Sequence, residues 1–315
     1  MQPALRPTVP SPQLAIDIFA NVSSVIKGKR DELRLAVAVV LAGGHLLVED
    51  VPGVGKTLLA RSLARSVDGS FGRVQGTPDL LPADVTGVSV YRKGTETWDF
   101  KAGPLFANVV LFDEINRSTP RTQSALLEAM EERTATVDGI TYAMPSPFVV
   151  IATQNPQEHH GTFPLVEGQR DRFAAVLGLG LPPLEIERAL LLGTGGTASL
   201  AELRPVVAPE QLAVAIEDVA QVRCDPRAID YLLALVAALR DHPDVQLGPS
   251  PRASLAFLAV ARGYATVNAR EYVTPDDVKA VASAVLAHRL VLSQGDDLND
   301  ASRLVDEVTS TVPVP

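Results

Sequence analysis

Residues 46–57 read LLVEDVPGVGKT, an apolar run that enters a glycine-bearing turn and leaves it through Lys56-Thr57 into a second apolar segment, Leu58, Leu59 and Leu63. Strand, turn and helix in that order let the N–H groups of the turn and of the first helical turn converge on phosphate oxygens, where the helix dipole favours negative charge. Such a loop requires a layered α/β fold in which it sits at the carboxyl end of a strand. The residues expected to surround the phosphates are Asp50, Val51, Pro52, Gly53, Val54, Gly55, Lys56, Thr57 and Leu58. Lys56 is expected to reach the β and γ phosphates and the Thr57 hydroxyl to ligate Mg²⁺. The pattern G-x-x-x-x-G-K-[ST] asks for glycine at position 50, where this chain has Asp50; Gly53 and Gly55 supply the flexibility nearer the lysine.

A second apolar run, Val109–Phe112, ends in Asp113-Glu114. Two acids at the end of a buried strand stand at the edge where open α/β sheets bind ligands. Asp113 is expected to hold Mg²⁺, directly or through water. Glu114 is expected to orient and polarise the attacking water, because phosphoryl transfer depends on positioning and electrostatics.

The strand candidates His45–Glu49, Arg73–Gln75, Val109–Phe112, Phe148–Ala152 and Ala174–Leu177 alternate with helical patterns, which predicts a five-stranded parallel sheet. After Leu181-Pro182-Pro183 the pattern turns wholly helical. Asp225-Pro226, Ser250-Pro251 and Thr274-Pro275 each read as an N-cap followed by proline at the first helical position, with Asp277 placed to complete a capping box. Ile229, Leu232, Leu233, Val236 and Leu239 recur at helical spacing. The expected organisation is a proline-rich arm (1–12), an α/β nucleotide-binding core (13–181), a small all-α lid (182–292) and a frayed acidic tail (293–315), with a flexible link at Gly193–Ser199.

The hydrophobic fraction of 46% and charged fraction of 21% are those of a globular chain, and the net charge of −9 argues against one that coats nucleic acid. One cysteine, Cys224, excludes an intrachain disulfide and fits a reducing compartment. The longest apolar stretch, Leu35–Val48, is broken by Gly43, Gly44 and His45 and is too short to span a bilayer. The expected location is the cytoplasm.

The stretches EDVPGVGKT (49–57), QGTPDLLPADVTG (75–87), GPLFANVVLFDEINRSTPRTQSALLEAMEER (103–133), ATQNP (152–156), GTFPLVEGQRDRF (161–173) and GPSPRAS (248–254) closely resemble the MoxR family of AAA+ ATPases. The resemblance covers most of residues 25–290, and Asp50 is what this family's loop carries. It implies an ATPase that uses ATP and Mg²⁺, with Asn155 at the sensor-1 position, contacting the γ-phosphate or the water. Arg172 matches the arginine finger supplied to the neighbouring subunit's ATP, with Arg170 as a rival. Arg252 matches the lid arginine, sensor 2, that reaches the same nucleotide. Ile26 and Gly28 fall in the segment that lines the adenine pocket.

A finger supplied in trans completes the site only between subunits, and a head-to-tail contact closes into a ring; the resemblance implies a hexamer. It also implies remodelling, maturation or activation of partner proteins, including clients that carry a von Willebrand factor A domain. A nucleic-acid motor or loader and the ATPase subunit of a metal chelatase are the alternative readings. Residues 88–100 and 134–147 read as inserted hairpins turning at Lys93-Gly94 and Asp138-Gly139, with Tyr91 and Trp98 either meeting a client or packing on the core. His159-His160, without further ligands, reads as a solvated loop.

Overall fold

A computed structural model describes residues 11–51, 53–156, 161–193, 197–293 and 298–314. Two helices, α1 (Ser11–Val25) and α2 (Arg30–Leu41), precede β1 (Leu46–Glu49) and α3 (Lys56–Ser66). β2 (Phe71–Gln75), α4 (Pro82–Thr86) and the hairpin β3 (Gly87–Arg92)–β4 (Thr97–Ala102) follow. Next come β5 (Val109–Asp113), a 3-10 turn (Ile115–Arg117), α5 (Pro120–Glu132) and the hairpin β6 (Thr134–Val137)–β7 (Ile140–Ala143). β8 (Val149–Gln154), α6 (Glu167–Arg170) and β9 (Ala175–Leu177) complete the core sheet.

The sheet order is β2-β5-β8-β1-β9 and every pairing is parallel. β1, β5, β8 and β9 feed side chains alternately to two apolar clusters, which is why they read as hydrophobic runs, whereas the edge strand β2 buries only alternate residues. Leu46, Val48, Leu111 and Ile151 face the cluster that includes α1, α2 and α3. Leu47, Val110, Phe112 and Val150 face the cluster that includes Leu126, Leu127 and Met130 of α5.

The helices α7 (Leu184–Leu191), α8 (Thr197–Glu202), α9 (Pro209–Ala220), α10 (Pro226–Arg240), α11 (Pro251–Val267), α12 (Pro275–Leu286) and α13 (Leu298–Thr311) follow the sheet. Buried residues of α9 to α13 join the same cluster as α1 and α2, so these helices and the sheet share one hydrophobic interior. The local start signals are realised as hydrogen bonds. Asp225 accepts from Arg227 N at 2.9 Å and Ser250 from Ala253 N at 3.2 Å. Thr274 and Asp277 exchange bonds of 2.9 and 3.3 Å.

Three readings need correction. The region after Pro183 is not purely helical: Arg223–Cys224 pairs with Tyr272–Val273, and Val245–Leu247 with Val291–Leu292, because backbone at helix ends still needs partners. On α10 the buried stripe is Ala228, Tyr231, Leu232, Leu235, Val236 and Leu239, while Leu233 is exposed, so the face is rotated from the expected one. Residues 298–311 do not fray; α13 buries Ala301, Leu304, Val305 and Val308. The expected arm falls outside the described residues up to position 10, as do His159, His160 and 194–196 of the link.

Both hairpins form. The second turns through Asp138 and Gly139, both at positive φ, and its Tyr142 stacks on Phe100 of the first at 4.0 Å. Tyr91 and Trp98 pack on each other at 5.3 Å and stay exposed, Trp98 by 70%. Among the described residues no helix is long and apolar enough to cross a membrane.

Candidate functional site

The sheet has two working edges, and the sequence-predicted residues divide between them. At the carboxyl edge, β1 runs into the loop that opens α3. Gly53 and Gly55 hold φ of +88° and +104°, and a Cβ on either would meet nothing within 4 Å. The backbone there borders an open cradle, and left-handed glycine lets its N–H groups turn into it. Lys56 donates from Nζ to Asp50 O at 2.6 Å and to Gln154 O at 3.3 Å, so its ammonium lies between β1 and β8. Thr57 is half-buried in the first turn of α3, and Pro52 falls outside the described residues.

Asp50 explains its own departure from glycine. Its Oδ1 accepts from Val51 N at 2.8 Å and its Oδ2 from Gly180 N at 2.6 Å. The carboxylate ties the loop to the segment after β9, replacing glycine's freedom with an anchor.

β5 delivers the two acids. Asp113 is buried, with Oδ2 accepting from Arg73 Nε and Nη2 at 3.1 and 2.8 Å and Oδ1 from Thr153 Oγ1 at 3.3 Å. Glu114 adopts φ 55°, ψ 52°, a left-handed conformation that costs a non-glycine residue about 1 kcal/mol or more. Its N–H donates to the same Thr153 hydroxyl at 2.9 Å. Its Oε2 accepts from Gln75 Nε2 at 2.8 Å and lies 3.3 Å from Arg117 Nε. The kink admits Gly76, whose Cβ would stand 2.1 Å from Glu114 O. Arg73, Gln75 and Thr153 were not singled out in the sequence. The available signal was register: Gln75 stands opposite Asp113 in the β2–β5 pairing.

Asn155 follows β8 directly and is buried; its carbonyl accepts from Asn116 Nδ2 at 3.4 Å. A cleft of about 180 Å³ beside the loop is lined by Ile26, Gly53, Val54, Gly55, Leu58 and Ile186 among others. Gly28 stands behind it, where a Cβ would press on Pro183 and Ile186 at 3.0 and 3.2 Å. The donor set fits Mg²⁺·ATP: a hydroxyl, a buried carboxylate, a lysine and open N–H groups suit triphosphate and a hard cation.

The arginines stand elsewhere. Ala174 N donates to His45 O at 2.8 Å, and His45 Nε2 meets Met130 O at 3.2 Å, which puts the end of α5 and the start of β9 at the amino edge. There Glu131 takes Arg252 Nη1 on Oε1 at 2.9 Å, and Arg172 Nε lies 2.8 Å from Oε2. The Arg172 contact is ionic only; its buried Nε has no aligned hydrogen bond. The structure therefore joins Arg172 to Arg252 and joins neither to its own chain's Lys56. Arg170 Nε is buried without a hydrogen-bond partner among the described residues.

Cys224, away from both edges, is half-buried, and burial raises its thiol pKa.

The family model for the ATPase family associated with various cellular activities (AAA) matches residues 45–175, and the AAA lid domain model matches residues 237–308. The chain is 46% identical to the uncharacterized protein YeaC of Bacillus subtilis over 297 residues, 94% of this chain and 93% of that one. It is 41% identical to Chaperone MoxR1 of Mycobacterium tuberculosis over 94% of its own length and 81% of the relative's. A solved structure from Cytophaga hutchinsonii superposes with a TM-score of 0.86 at 31% identity, covering 97% of this chain and 96% of that one.

Proposed function

The chain belongs to the MoxR family of AAA+ ATPases, and from that premise we propose that it works as a cytoplasmic ring, a hexamer, in which Mg²⁺·ATP turnover remodels a partner protein. In this reading Lys56 and the N–H groups of residues 51–58 bind the phosphates, and Asp50 fixes the loop that presents them. Thr57 and Asp113 hold Mg²⁺, which neutralises charge on the β and γ phosphates. Glu114 accepts a proton from, and aims, the attacking water, with Asn155 beside it and Gln75 and Thr153 fixing its direction. The apolar cleft at Ile26 takes the adenine.

The observation that carries the ring is the separation of Lys56 and Arg172 across the two edges of one sheet. A chain arranged in this way does not bring Arg172 to its own loop at Lys56, and a head-to-tail neighbour supplies that arginine. Arg172 is 31% exposed and Arg252 47%, as donors to another subunit must be. A finger in trans contributes about 10³–10⁵ in rate, or about 4–7 kcal/mol.

The client in this reading carries a von Willebrand factor A domain. Glu114→Gln, which holds ATP without cleaving it, should retain that client in the assembled ring, and Lys56→Ala should release it. Mass spectrometry of what co-purifies from the native cells decides the matter. Nucleic acid with its processing proteins in place of a folded client would make the chain a motor or loader instead, and a metal-inserting complex would make it a chelatase subunit.

A further inference from the structure

Glu131 is the last carboxylate but one of α5, and nothing in its own helix requires it to face the amino edge. Yet both of its oxygens are engaged by arginines from elsewhere, Oε1 by Arg252 of α11 and Oε2 by Arg172 ahead of β9. Two guanidiniums this close repel, and a shared carboxylate is what makes the pair cheap to hold. The three side chains remain about a third to a half exposed, so the cluster is a surface feature, where isolated ion pairs add little stability. The geometry points to a different role for Glu131: it is a positioning residue that seats Arg172 and Arg252 side by side, aimed outward, for the phosphates bound by the adjacent copy.

This rests on the ring reading above. It adds that neither arginine is placed by its own rotamer preferences. A long side chain left unpaired regains rotamer entropy that the complex must then remove. The Arg172 contact fits this role, because it runs through the buried Nε and holds the charge in place without using the terminal Nη groups. Misplacement by about 1 Å can cost on the order of 10²-fold in rate. Neutralising Glu131 should therefore lower kcat by about 10- to 100-fold, less than losing Arg172 itself, and leave the ATP affinity of the unassembled subunit unchanged, because the loop at Lys56 lies at the other edge.

Mixed rings test this. Glu131→Gln keeps size and hydrogen-bonding capacity, so it should melt at the wild-type temperature, with Glu131→Asp recovering part of the rate. Lys56→Ala subunits bind no ATP but keep an intact arginine pair. Mixing them with Arg172→Ala, and separately with Glu131→Gln, should restore turnover in both mixtures, since each defective pair is bypassed by an intact one next to an intact P-loop. Fluorescent-nucleotide titration of the unassembled subunit should give Glu131→Gln the wild-type Kd. Recovery with Arg172→Ala but none with Glu131→Gln would overturn the positioning role and leave the trans finger standing. No recovery in either mixture would remove the trans finger, and this inference with it. Full kcat in Glu131→Gln alone would also end it.

Discussion

Arg289 clasps Asp171: its Nε donates to Asp171 Oδ1 at 2.6 Å, and its Nη2 donates to the carbonyls of Asp171 and Phe173 at 3.2 and 2.7 Å. Arg289 belongs to the 3-10 turn after α12, in the lid, and Asp171 to the core loop that carries Arg170 and Arg172. A lid side chain thus fixes the backbone of the candidate finger. The guanidinium is only 3% exposed. Burial pulls its pKa down, and Asp171 opposes that pull.

Removing the fork should both loosen the lid and misplace the finger. Taking away one partner of a buried ion pair costs roughly 3–5 kcal/mol. Arg289→Met belongs at the lower end, because Asp171 is 23% exposed and can be solvated. Urea denaturation should register the loss. The variant should bind ATP normally while its ring turns over more slowly. A variant with unchanged stability and unchanged kcat would make the clasp incidental.

Glu114→Gln should bind ATP and fail to cleave it. The left-handed backbone and the bonds from Gln75 and Thr153 position a carboxylate, and the amide keeps that shape without the basicity. Loss of a general base costs about 10²–10⁴-fold. Phosphate release measured beside nucleotide binding separates the two effects, and turnover within a few-fold of wild type would reassign the base.

Much of this was legible because it is local. The P-loop, the acids after Val109–Phe112 and the three N-caps are each encoded within about a dozen residues. The Glu131 cluster is not: its hydrogen bond to Arg252 joins residues 121 apart in sequence, and no periodicity announces such a meeting. The α13 case differs. Ala301, Leu304, Val305 and Val308 carry helical spacing in plain view, but the acidic, proline-ended context reads as a tail. The turned face of α10 also follows from tertiary packing, since Tyr231 and Leu235 displace Leu233 from the interior.

Arg73 should set the Mg²⁺ requirement. Its guanidinium lies 2.8 Å from Asp113 Oδ2, so a divalent cation approaches an acid already partly neutralised. Arg73→Ala should lower the Mg²⁺ concentration needed for half-maximal nucleotide binding. The bare Coulomb figure near a surface is about 4 kcal/mol. Because Arg73 is half exposed, solvent reduces that figure to a few-fold change in affinity. A higher Mg²⁺ requirement in the variant would instead make Arg73 a support that orients Asp113.

Stability should fall as the medium is acidified below pH 6.5, and His45 supplies a defined share of that loss. Val150 N donates to its Nδ1 at 3.0 Å, so Nδ1 is the acceptor and Nε2–H faces Met130 O. A second proton would set Nδ1–H against the Val150 N–H. Burial first, then the charge of Arg133, push its pKa from 6.5 to about 3, against the opposing bond to Met130 O. His288, which meets Phe173 O, is also held well below its ordinary value, again mainly by burial. With the folded pKa depressed, the unfolded chain binds the extra proton between pH 6.5 and about 3. The contribution is complete above pH 6.5 and is lost as pH falls through that window, at up to about 1.4 kcal/mol per pH unit for each histidine. His45→Gln should remove one proton's worth of slope from unfolding free energies measured by urea between pH 6 and pH 5. An unchanged slope would mean that His45 titrates normally, contrary to its buried bonds.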